Sequence, residues 1–283
     1  MTLQQLKQQF HNVLNSLYPP EEINSFFFLV IENVLNLKRI DFALNPTTTI
    51  GDDQTIKLHK IVKKLKLEIP IQYILGSTEF FGLTFYVNKH VLIPRPETEE
   101  LVDWIIKSIS HSEISNANIL DIGTGTGCIP ITLAKNILNS NVTAIDVSSE
   151  ALAVAKENAR INKTNVNFIE QDILASKTFH QKFDIIISNP PYVRELEKKE
   201  IKDNVLKNEP HLALFVDNEN PLLFYNKIAE LAKDSLSENG GLFFEINQYL
   251  GQETIQLLKE KGYTNIELRK DLNGNDRMIK ASL

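Results

Sequence analysis

Two short stretches of this 283-residue chain carry residue types that do chemistry together. The first is Asp121-Ile122-Gly123-Thr124-Gly125-Thr126-Gly127, which follows an apolar run and opens a helical pattern. Glycines at a strand-to-helix turn let the backbone come close to a bound molecule. In doubly wound sheets, ligands bind at the carboxyl ends of the strands. A dinucleotide fingerprint wants Gly-x-Gly-x-x-Gly. Here Cys128 holds that last position, and the third glycine comes one residue early. Asp146, ending the next strand, is placed to accept hydrogen bonds from ribose hydroxyls. Asp172, after the third strand, is placed at an adenine edge, with Ile173 packing on the ring. An acid at 146 serves nicotinamide and S-adenosylmethionine sites alike, and the early third glycine favours the second. The plainer alternative is a tight turn without a ligand.

The second stretch is Asn189-Pro190-Pro191-Tyr192, at the end of a fourth strand. Pro190 has no N–H, and Pro191 biases residue 190 to an extended shape. That geometry leaves the Pro190 carbonyl and the Asn189 side-chain oxygen as two fixed acceptors. Two acceptors suit a planar NH₂ group, such as an amide or the exocyclic amine of a base. Such a nitrogen is a poor nucleophile because its lone pair is delocalised. Holding both N–H bonds aligns the lone pair with a sulfonium methyl, and the acceptor dipoles stabilise the positive charge that develops. Tyr192 is placed to cover one face of the planar group. The alternatives are a polyproline ligand for another domain and a plain turn.

These motifs need a parallel sheet to hold them, and the pattern supplies one. Residues 98–109 read as a helix, 118–122 as a strand, then a helix to about 138, a strand at 142–146 and a helix over 149–161. Strands at 166–171 and 183–188 follow, then a helix over 221–236, a strand at 241–246, a helix over 253–261 and final strands at 266–269 and 278–281. Alternation of this kind means α/β with a mostly parallel, doubly wound sheet. The front differs. Leu3, Leu6, Phe10, Val13, Leu14 and Leu17 recur at helical spacing, and Pro19-Pro20 opens a second helix with Phe26, Phe27, Val30, Ile31, Val34 and Leu35. A third carries Ile56, Ile61, Val62 and Leu65 and ends at Pro70. Between the parts, Leu83-Thr84-Phe85-Tyr86-Val87 alternates as a hairpin strand does. The expected organisation is a helical domain over 1–71, a linker with a β-hairpin over 72–96, and an α/β domain over 97–283.

Composition excludes much else. Hydrophobic residues make up 42% and charged residues 23%, as in globular chains. The apolar run Phe26–Ile31 is far too short to span a bilayer, and no signal or transit pattern opens the chain. Cys128 is the sole cysteine, so an intramolecular disulfide and a multi-cysteine metal cluster are excluded. The thiol reads as a small buried hydrophobe, and a reducing cytoplasm is expected. His11, His59, His90, His111, His180 and His211 show no metal-binding spacing, so no metal is expected. Glu97, Glu99 and Glu100 read as first-turn helix acids. Residues 1–75 have a net charge of +1 and the remainder −7, which does not suit duplex DNA. Five lysines between Lys57 and Lys66 read as a solvated helix face, or else as a contact for an acidic partner.

With these residues in view, the chain resembles the peptide chain release factor glutamine N5-methyltransferases, a class I S-adenosylmethionine-dependent family with a seven-stranded Rossmann-like domain behind a small helical bundle. The resemblance covers nearly the whole chain. It rests on Pro70 to Gly76 with Glu79-Phe80, on Leu92-Ile93-Pro94-Arg95-Pro96-Glu97-Thr98-Glu99, and on the glycine turn and Asn189 to Tyr192. Asn208-Glu209-Pro210 through Leu214, Gly240-Gly241 with Glu245, and Asn275-Asp276-Arg277 match as well. It implies methyl transfer from S-adenosylmethionine to the side-chain amide of the Gly-Gly-Gln loop glutamine in class one release factors, with the front domain helping to hold the factor. By motif match, Asp121, Gly123, Thr124, Gly125, Thr126, Gly127, Asp146, Asp172, Ile173, Asn189 and Arg95 would meet the cofactor. Asn189, Pro190, Pro191 and Tyr192 would frame the glutamine, with Asn189, Pro190 and Tyr192 carrying the chemistry. Ile173 departs from relatives that are aromatic there. The expected enzyme is a cytoplasmic monomer without a stable nucleic-acid or membrane partner. The alternative is an amino-methyltransferase of DNA or ribosomal RNA; a non-enzymatic adapter would have lost Asn189 and the glycine turn.

Overall fold

The computed structural model describes residues 1–110 and 116–283; His111 lies outside the described residues. The chain forms two compact units, Met1–Gly76 with Asp203–Asn208, and Ser77–Lys202 with Glu209–Leu283. The boundaries differ from those the sequence implies. The first unit runs past residue 71 and includes a short late segment, and the hairpin expected in a linker belongs to the second unit.

The first unit is helical. Helix α1 (Leu3–Leu14) starts at a capping box, in which Thr2 and Gln5 satisfy each other's backbone N–H. Helix α2 (Pro20–Leu35) begins on a proline with Glu21 and Glu22 in its first turn, and it stops at Asn36, whose φ is +55°. Phe10 and Phe27 meet edge-to-face in the core between them. Two short helices escape the periodicity, α3 (Arg39–Leu44) and, after α4 (Asp52–Lys66), α5 (Ile71–Leu75). Along α4, Leu58, Val62 and Leu65 are buried while Lys57, Lys60, Lys63, Lys64 and Lys66 are exposed. Leu17 and Ile56, read as core positions, are 42% and 53% exposed.

The second unit opens with a hairpin, β1 (Ser77–Phe80) and β2 (Leu83–Tyr86). Its two-residue turn, Phe81-Gly82, has φ of +51° and +71°, as a type I′ turn requires. Phe81 is a bulky residue in the left-handed region, and its N–H is held by Glu99 Oε1 at 2.8 Å. Phe80 and Phe85 bury themselves in the core of this unit. Helix α6 (Pro96–Ser110), β3 (Asn118–Ile122), α7 (Cys128–Asn136), β4 (Asn141–Asp146), α8 (Ser149–Asn162), β5 (Asn167–Glu170) and β6 (Phe183–Ser188) follow. Then come β7 (Val193–Arg194), a 3₁₀ turn at Glu195–Glu200, α9 (Asp203–Asn208) of the first unit, α10 (His211–Leu214), β8 (Phe215–Val216), α11 (Leu223–Ser235), β9 (Leu236–Glu245), α12 (Gly251–Glu260), β10 (Thr264–Lys270) and β11 (Asp276–Ser282).

The main sheet has seven strands in the order β10-β11-β9-β6-β3-β4-β5. Strands β9, β6, β3, β4 and β5 are parallel, and β11 and β10 pair antiparallel at one edge. The mostly parallel α/β sheet read from the sequence is therefore present. Successive side chains point to opposite faces of a strand. Ile119, Ile185, Ile187 and Phe243 accordingly feed one core, and Leu120, Ile186, Leu242 and Phe244 the other. Both faces of the central strands β3, β6 and β9 are covered, which is why apolar residues stand at successive positions in them. Among the described residues no helix is long and apolar enough to cross a membrane.

One buried amide ties the hairpin to the glycine turn. Asn158 of α8 accepts from Tyr86 N at 2.6 Å and donates to Tyr86 O at 3.0 Å and to Thr126 O at 2.9 Å. Asn158→Ala removes the partner of three backbone groups, of which the two on Tyr86 are half-buried, each costing on the order of 1 kcal/mol. The expected result is a loss of about 3 kcal/mol in a denaturant titration. A loss below about 0.5 kcal/mol would show that the hairpin and turn are held by other contacts.

Candidate functional site

Strands β3, β4 and β6 and the loop after β5 end around a cavity of about 440 Å³. Its position at the carboxyl edge of the parallel strands is where such sheets bind ligands. Gly123, Thr124, Gly125 and Thr126 line it, with Asp146, Asp172, Ile173, Asn189, Pro190, Pro191 and Arg95. The structure thus brings most of the residues singled out in the sequence to one place. Asp121, Gly127 and Tyr192 are not in the wall.

The turn between β3 and α7 is shaped by two needs. Gly125 has φ +53° and donates its N–H to Asp146 Oδ2 at 2.8 Å. Gly127 has φ +78° and is crowded: a Cβ there would lie 2.9 Å from Ile131 Cδ1 and 3.1 Å from Ala155 Cβ. A side chain at Gly125 would instead project into open space, so backbone conformation alone demands glycine there. Asp146 accepts a second backbone bond, from Ser148 N at 2.9 Å. A carboxylate has about four acceptor sites, and even with the Val147 N–H also bearing on it, capacity remains for a bound molecule. Burial pushes its carboxyl above the usual range.

Asp121 is fully buried, and neither of its oxygens has a hydrogen-bond partner among the described residues. Burial pushes its carboxyl up to about 7. The neighbouring Thr124 hydroxyl, outside hydrogen-bonding geometry, works against that rise, and Asp146 adds to it. Cys128 is buried, and burial pushes its thiol up to about 12. Asp172 turns one oxygen to Leu174 N at 2.8 Å, and Ile173 is buried against the cavity. The Arg95 guanidinium is clamped at 2.6 Å by Glu209, which is itself buried and also accepts from Ile93 N at 3.1 Å.

Asn189 sits at the cavity wall, and its Nδ2 donates to Thr98 Oγ1 at 3.4 Å. Thr98 donates in turn to Glu245 Oε2 at 2.6 Å. Tyr192 does not cover the cavity as its place in the motif implied. A buried phenol needs a partner, and Tyr192 finds Glu245 Oε1 at 3.0 Å. Burial and the adjacent Glu245 raise its phenol well above the ordinary range. Burial likewise raises Glu245, opposed by the bond from Thr98 and by the Arg277 guanidinium. Asn247 fixes the turn from the other side, donating to Tyr192 O and to Glu197 Oε2, each at 2.9 Å. Thr98, Asn247 and Glu197 were missed as site residues by sequence reasoning. Among the described residues no three His, Cys, Asp or Glu side chains gather as a metal site would need.

Comparison with known proteins agrees with this geometry. Residues 103–214 match the methyltransferase small domain, and residues 5–76 match the PrmC N-terminal domain. The release factor glutamine methyltransferase of Flavobacterium psychrophilum is 54% identical over 100% of this chain and 99% of its own. The chain belongs to that family. A second member, from Bacteroides thetaiotaomicron, is 42% identical over 95% of this chain and 96% of its own. In fold alone, a methyltransferase from Pyrococcus furiosus superposes with a TM-score of 0.52 at 18% identity, covering 82% of this chain and 98% of that one.

The unpartnered Asp121 carboxyl makes a pH prediction for the ligand-free protein. Its folded value of about 7 lies above the unfolded 3.8. Its contribution to stability is therefore full below pH 3.8 and is lost as pH rises through 7. Asp121→Asn removes that loss. Its melting temperature should gain on the wild type as pH goes from 5 to 8, by an amount equivalent to roughly 2–3 kcal/mol. A gap that does not change with pH would mean that Asp121 is ionised throughout this range.

Proposed function

We propose that this protein transfers a methyl group from S-adenosylmethionine to the side-chain amide nitrogen of the glutamine in the Gly-Gly-Gln loop of class one release factors. The observation that carries the reading is the Asn189 amide, anchored through its nitrogen and set in the wall of the cavity formed by the glycine turn. The relatives, release factor glutamine methyltransferases, support the substrate.

The residues present fit S-adenosylmethionine. A cavity of about 440 Å³ is in the range of small-molecule sites. Asp146 keeps acceptor capacity for a ribose diol, and Ile173 offers a buried apolar face for adenine. When bound, S-adenosylmethionine supplies an electrophilic methyl group on a sulfonium. The protein's part is to hold the amide. Asn189 Oδ1 accepts one N–H of the glutamine, and the Pro190 carbonyl is the candidate for the other. As the nitrogen gains positive charge, these fixed dipoles stabilise it without reorganising. Pro190 and Pro191 have no N–H to compete for those acceptors. The front helical unit, 1–71 in the sequence reading, is proposed to help hold the factor, and the lysine face of α4 is one surface open to it.

Three outcomes test the reading. Labelled S-adenosylmethionine, an unmodified class one release factor and the purified enzyme should give label on the factor. The same factor with its loop glutamine changed to alanine should take none, and neither should ribosomal RNA or DNA. Label only in nucleic acid would transfer the Asn189 chemistry to base amines. Asn189→Ala should lower kcat about a hundredfold or more while the Kd for S-adenosylmethionine stays within a few-fold. Asp146→Ala should do the converse, weakening the cofactor Kd by calorimetry about tenfold through lost hydrogen bonds. An unchanged Kd would remove Asp146 from the site.

A further inference from the structure

An asparagine amide has two faces of opposite polarity, and the pair of acceptors described above works only in one orientation. Reversed, Asn189 would point an NH₂ at the substrate NH₂ and repel it. The atoms behind Asn189 determine which way it lies. Glu245 is 1% exposed and, as a carboxylate, only accepts. Thr98 is 3% exposed and has a single hydroxyl proton, directed to Glu245 Oε2 at 2.6 Å. With that proton committed, Thr98 Oγ1 accepts only, and Asn189 meets it through Nδ2 at 3.4 Å. Among the described residues Oδ1 has no hydrogen-bond partner and is the amide atom left for the cavity that Asn189 lines.

Glu245 is itself held in place. Tyr192 donates to its other oxygen at 3.0 Å, and Tyr225 donates to its backbone carbonyl at 3.1 Å. The carboxylate is thus the acceptor end of a one-way chain that runs Glu245, Thr98, Asn189. Each donor points toward Glu245, so each acceptor points away from it.

We propose that Thr98 and Glu245 are positioning residues for methyl transfer, which set the Asn189 amide with its oxygen toward the substrate. This rests on the reading of Asn189 as the substrate's hydrogen-bond acceptor. Thr98 borders the same cavity as Asn189, Glu245 lies behind it, and the proposed role of both is to act through the Asn189 amide. Their effect is on the fraction of enzyme with the productive amide, and it therefore falls on kcat.

The test compares Thr98→Val, which keeps the shape and loses the hydroxyl, with Thr98→Ser, which keeps the hydroxyl and loses a methyl. In the valine variant kcat on the release factor should fall tenfold or more, with KM for the factor and Kd for S-adenosylmethionine within about twofold. The serine variant should return kcat to within about threefold of wild type. Glu245→Gln, whose amide can face Thr98 with either atom, should lower kcat in the same pattern. A second readout needs no substrate. The side-chain NH₂ resonances of Asn189, assigned by their loss in Asn189→Ala, should hold their positions in Thr98→Ser and move in Thr98→Val. A kcat within twofold of wild type in Thr98→Val overturns the proposal. So does an equal loss in the valine and serine variants, and so do NH₂ resonances that stay in place without the hydroxyl. Failure of the substrate reading is separate: wild-type enzyme would leave the release factor unlabelled, while the resonances would still report whether Thr98 orients the amide.

Discussion

A carboxylate removed from water has to be given donors, and the site of this enzyme is arranged around one such demand. Glu245, at the end of β9, is buried and takes the hydroxyls of Thr98 and Tyr192. Those residues come from the first turn of α6 and from the loop after β6, so satisfying one charge brings together three separate parts of the chain. A half-satisfied buried charge is strongly unfavourable. The Asn-Pro-Pro-Tyr turn is thereby fixed by more than its own backbone. Asn247 adds to this by taking up the carbonyl of Tyr192.

The glycine turn follows a similar logic with the opposite outcome. Asp146 is satisfied by two backbone N–H groups and keeps capacity in reserve, whereas Asp121 is left with none. The fold therefore carries an electrostatic cost behind the cavity wall, at a carboxyl that does not itself line the space. Sites that hold strain or unpaired charge in the free state are common where binding energy is put to use.

Much of this was legible in the chain itself. Strands β3 and β6 have the bounds expected of them because short, mostly apolar stretches are cut off by Gly123 and by Asn189-Pro190. The glycine turn, Asp146 and Asn189 were legible because their spacing is local. Thr98 was not, since its role depends on a partner 147 residues away. The hydroxyl partner of Tyr192 is hidden for the same reason, lying 53 residues off. The helices α3 and α5 have six and five residues, too few to show a period, and β7 and β8 have two each. The division of the chain differed from expectation because Phe80 and Phe85 face a core made mostly of residues much later in the chain.

Cys128 begins α7, one residue after Gly127, and is the sole thiol in the sequence. Its burial and high pKa leave it almost wholly as the unreactive thiol at neutral pH. Cys128 lines the cavity, so an alkylating reagent approaches it from there, and the rate of modification measures how freely that cavity admits a small molecule. The molecule thus carries a native chemical probe at the base of its ligand cavity, against a background with no other sulfhydryl.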